Sequence, residues 1–89
     1  MSESENAQKV FDALKQAESS PTLVALSVLN GLVGLVQGNG QAPLEVEEAR
    51  SSAFLAICEV GKALHRGQPA AGPYAAALKA CETWLRVAK

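Results

Sequence analysis

The residues able to do chemistry are few, and their spacing specifies no reaction. His65 is the only histidine among 89 residues. A metal centre or proton relay built on it needs partners at ligand spacing, and the sequence marks none. Beside Arg66, at the end of a helical stretch, it suits the cationic position that the negative end of a helix favours. Cys58 and Cys81 are too far apart for a zinc or redox pair, and no histidine or oxyanion-forming turn stands near either of them. They read as buried free thiols of an intracellular chain.

Glu45, Glu47 and Glu48 offer three neighbouring carboxylates, but acids in a first helical turn follow from the helix dipole alone, and solvated surface charges are the expectation. Gly38-Asn39-Gly40 precedes a helix as an anion-binding loop would. Yet no lysine or hydroxyl residue follows at phosphate-loop spacing, and Pro43 removes an amide. No catalytic, cofactor-binding or metal-ligating residue is assigned, and an enzyme is not expected.

The elements that would position any site begin with TLVALSVLNGLVGLVQGNG, residues 22 to 40, which carries no charge. Asn30-Gly31 between apolar runs is a hairpin signal. The flanks do not alternate, however, and no further strand could pair with their edges. As a helix the stretch aligns Ser27, Gly31, Gly34 and Gly38 on one narrow stripe, with leucine and valine over the rest. Glycines inside a helix cost roughly 1 kcal/mol each relative to alanine, so the stripe predicts a second backbone packed against it. The reading is a central, mostly buried helix. At ~25 Å it is too short to span a bilayer of ~30 Å, and it lacks basic or aromatic anchors.

Around it the periodicity predicts three amphipathic helices. The first spans 4–18 with Ala7, Val10, Phe11, Leu14 and Ala17 inward, and Ser2 or Ser4 caps it. Pro21 opens the second, 21–37. Pro43 opens the third, 43–66, whose stripe is Val46, Ala49, Ala53, Ile57, Val60 and Leu64; Gly67 ends it. Phe54, Leu55 and Cys58 extend its apolar surface onto another side. The fourth, 73–88, turns Tyr74, Ala77, Leu78, Cys81, Trp84, Leu85 and Ala88 inward. Lys79, Glu82, Thr83 and Arg86 face outward, with Glu82 and Arg86 at pairing distance. The expected fold is all-α, a compact four-helix bundle forming one domain over 1–89, with short loops that favour antiparallel neighbours.

Apolar residues make up 48% and charged residues 19% of the chain, enough core material to fold. The net charge of −1, with neither sign in a block, argues against nucleic acid and anionic membranes as partners. The acidic, polar start MSESENAQK is unlike a secretory signal, so a cytoplasmic location is expected. What remains is capacity: the second and third helices offer more apolar surface than one bundle can cover. That predicts a protein-interaction module, self-associating as a homodimer or bound to one protein partner. Its expected interface is Phe54, Leu55 and Cys58, extended by Gly31 and Gly34, with Trp84 as a core anchor that could also reach a partner. The alternative is a helical carrier holding a small apolar ligand between helices.

Overall fold

The computed structural model describes residues 2–38 and 40–89; Asn39 of the glycine loop lies outside the described residues. Four helices follow one another: α1 Glu3–Glu18, α2 Thr22–Gln37, α3 Leu44–His65 and α4 Ala71–Ala88. Among the described residues there is no strand, so Asn30-Gly31 continues a helix and makes no hairpin turn.

Each boundary has a local cause. Ser2 caps α1, its hydroxyl accepting from the Glu5 amide at 3.2 Å, while Ser4 sits inside the first turn. The α1 end is closed by Ser19 and Ser20, whose hydroxyls donate to the Gln16 carbonyl at 3.1 and 2.7 Å. Pro21 and Pro43 hold extended backbone immediately before α2 and α3, so those helices start one residue later than proline as first helical residue predicts. The α3 end is a Schellman closure. Gly67 takes φ +66, its amide donates to the Leu64 carbonyl, and the Gln68 amide reaches back to Ala63 at 2.9 Å. Helix α4 begins at Ala71, two residues ahead of Pro73. Proline is tolerated there because the amides of a first turn have no intrahelical acceptor to lose.

The helices pack as a ring in which α1 touches α2 and α4, and α3 touches α2 and α4. Side chains fix their directions. Glu3 at the start of α1 meets Arg50 near the start of α3 and Trp84 near the end of α4. Neighbours are therefore antiparallel, an up-down-up-down bundle. Its core is Ala7, Val10, Leu14 and Ala17 of α1, Ala25, Leu29, Leu32 and Val36 of α2, Val46, Ala49, Ala53, Ile57 and Val60 of α3, and Tyr74, Ala77, Cys81 and Trp84 of α4. Phe11, Leu64, Leu78, Leu85 and Ala88 pack against it half-buried.

Three expectations need correction. Helix α2 is not the central helix, because a ring has no centre and each member hides one stripe. Ala25, Leu29, Leu32 and Val36 fill that stripe, and the far side is left in solvent. Nor do Gly31 and Gly34 meet another backbone: both are exposed, and a methyl group added at either would find no atom within 4 Å. On α4, Thr83 is half-buried, its hydroxyl donating to the Lys79 carbonyl, and it accepts from Arg86 at 3.4 Å where a pairing with Glu82 was expected.

Candidate functional site

The apolar surplus of the sequence emerges on one half of the ring. Among the described residues the exposed large apolar side chains are Leu23 (81%) and Val24 (50%) on α2 and Leu44 (73%) and Leu55 (65%) on α3. None belongs to α1 or α4. On α2 they accompany Ser27, Asn30, Gly31 and Gly34, all exposed and uncharged, on the side opposite the buried stripe. On α3, Leu55 and Cys58 stand one turn apart on the outward face.

The expected interface residues thus separate. Leu55 and Cys58 share one exposed face and Gly31 with Gly34 another, whereas Phe54 is half-buried against the core. Trp84 is fully buried and offers nothing to a partner. Cys58 is exposed, correcting the expectation of two buried thiols; Cys81 is buried, and both are free. Burial in an apolar interior disfavours the thiolate and pushes the Cys81 thiol up to about 12. His65 is exposed in the last turn of α3, as its dipole role requires.

A second feature, absent from the sequence reading, lies where four helix ends converge. Arg50 is 3% exposed, and among the described residues it is the one buried charge. Its guanidinium pairs with Glu3 of α1 and Glu47 of α3, and Glu3 Oε1 also accepts from Trp84 Nε1 at 3.2 Å. The same guanidinium lies against Gly38, which takes φ +64 and leaves the space that a Cβ would fill. Glu47 is accordingly half-buried, against the expectation of a solvated first-turn acid, while Glu45 and Glu48 are exposed. Glu47 Oε1 has no hydrogen-bond partner among the described residues. The signal for Arg50 was its position on the apolar stripe, four residues after Val46 and three before Ala53, with Glu47 one turn earlier. A planar five-donor fork can satisfy two carboxylates at once, so the cluster acts as a clamp on structure.

No group of His, Cys, Asp and Glu able to hold a metal occurs among the described residues. No pocket opens among the described residues. No helix is long and apolar enough to cross a membrane. Compared with protein-family models, curated proteins and solved structures, the chain finds no match in any of the three.

Proposed function

We propose that the chain is a small non-enzymatic interaction module that works by associating with a second copy of itself. One observation carries this reading: among the described residues the four large apolar side chains left in solvent all belong to α2 and α3, while α1 and α4 expose none. Random residual exposure would scatter around the ring, whereas a one-sided concentration is what a covered face needs. Closed two-fold pairing is the commonest way for a soluble chain to hide such a face. The carrier of an apolar ligand has less support, since no cavity opens among the described residues. With charges of both signs spread over the surface, neither nucleic acid nor a membrane is a favoured partner. Two free cysteines suit a reducing compartment, and we read the chain as cytoplasmic.

Size exclusion with light scattering tests the proposal on the full chain. The expected result is a mass near twice 9.3 kDa in the micromolar range, falling on dilution. A monodisperse species of 9.3 kDa up to millimolar concentration defeats self-association.

A further inference from the structure

The outward face of α3 differs in kind from that of α2. It carries Leu44, Glu48, Ser51, Leu55, Cys58 and Lys62, all exposed, at alternating spacings of four and three along the 22-residue helix. That spacing places them on one stripe, apolar at Leu44, Leu55 and Cys58 and polar between. On this face Glu48 stands near the start of the helix and Lys62 near its end, with exposed Glu45 flanking the first and Glu59 and Arg66 flanking the second. A helix graded this way repels a parallel copy and attracts a reversed one, and the backbone dipoles favour the same direction. The uncharged outer face of α2 has nothing comparable to set direction or register.

We propose that a second copy of the chain docks on this face with its α3 antiparallel, across a two-fold axis at Leu55. The register follows from the residues. With Leu55 against its own counterpart, Glu48 stands seven positions from the axis on one side and Lys62 seven on the other, so each Glu48 opposes Lys62 of the second copy, twice over by symmetry. Leu55 supplies the apolar centre. Lys62 remains available for this, because its contact with Glu59, at 3.4 Å, is between two exposed side chains. The charge pairs set orientation more than affinity, and like charges brought together in their place oppose docking.

The inference rests on self-association, and its test keeps the two apart. Dissociation constants are measured by sedimentation for the parent, for E48K, for K62E, and for an equimolar mixture of the two variants. All positions are exposed, and circular dichroism verifies folding of each. Each single variant should weaken the dimer about tenfold or more at low salt, because both symmetric pairs become repulsive. The mixture should recover it, since E48K and K62E chains are mutually complementary at all four positions. In a Cys58→Ser background, Leu55→Cys should cross-link on oxidation. The parent should not, because the two Cys58 thiols sit about 9 Å apart along the axis. A parent dimer indifferent to both reversals, or not restored by mixing, overturns this docking face while leaving self-association standing. A monomeric parent overturns both.

Discussion

Trp84 Nε1 donates to Glu3 Oε1 at 3.2 Å, and Glu3 in turn holds the guanidinium of Arg50, so one carboxylate ties the first, third and last helices at the same end of the bundle. Each member of this arrangement depends on the others. Glu3 is only partly shielded from water, whereas Arg50 is 3% exposed.

Arg50→Ala is therefore expected to cost about 3 kcal/mol or more, as for a broken buried ion pair, because Glu47 keeps a half-buried carboxylate without its cation. Arg50→Lys should recover little, since an ammonium cannot span two carboxylates as the planar fork does. Arg50→Met combined with Glu47→Gln should be milder than Arg50→Ala, because the cation and the more buried carboxylate go together, leaving only Glu3, which is partly exposed and keeps its bond from Trp84. Urea denaturation of the three variants checks the order; a harmless Arg50→Ala refutes the clamp.

The two glycines Gly34 and Gly38 should respond to alanine in opposite senses. At Gly34 a methyl group enters open space on a helix, so Gly34→Ala should stabilise by about 0.5–1 kcal/mol and raise Tm by a few degrees. At Gly38 the backbone is left-handed and the new Cβ meets the Arg50 guanidinium, so Gly38→Ala should destabilise by about 1–3 kcal/mol. Paired thermal melts decide; a loss at Gly34 means that its face is covered.

Cys81 should be silent toward thiol reagents in the folded chain. Its thiol is held up to about 12, and no solvent reaches it. In a Cys58→Ser variant at pH 8, a disulfide reagent should label no thiol until denaturant is added. Rapid native labelling contradicts the buried position.

The same group predicts an alkaline loss of stability. In the unfolded chain the thiol releases its proton near 9.0, while in the folded chain it keeps it to about 12, so above pH 9 the unfolded state binds fewer protons. Stability therefore falls as pH rises through that window. Tyr74 acts in the same direction from about 10, its phenol raised by burial and then by Glu18. Melting temperatures between pH 8 and 10.5 should decline, and less steeply in Cys81→Ala despite its lower stability at neutral pH. A flat profile for the parent rules this out.

What could be read from the sequence followed from periodicity and punctuation. The stripes of α1, α3 and α4 repeat every 3.6 residues, and Pro21, Pro43 and Gly67 mark turns by geometry that only those residues favour, so helix number and limits were recoverable to within one or two residues. The stripe of α2 was harder because apolar residues surround the helix. Nothing in the pattern said which leucines would be covered, and the glycines were assigned to the inside when they line the outside. The pattern does not mark Arg50 as buried, because one of its two carboxylates, Glu3, comes from α1, 47 residues away, and room for the guanidinium comes from Gly38 of the α2–α3 loop. Of the proposed interface, Leu55 and Cys58 could be placed from their distance around the helix from the core stripe. Trp84 shows the limit of residue type as a guide: its size suits an interface and an interior equally, and only the packing of α4 against α1 decides.

The ring order of the helices also governs how the bundle comes together in time. Three of its seams join helices that are consecutive in the chain, which short loops bring together at little entropic cost. The fourth, α1 against α4, must close a loop of nearly the whole chain, and it is the seam that Trp84 and Glu3 fasten. Contacts of such long separation form late. Weakening this seam, as in Trp84→Phe, is then expected to quicken unfolding while leaving the folding rate nearly unchanged, with loosening of α1 from α4 as the first step of opening.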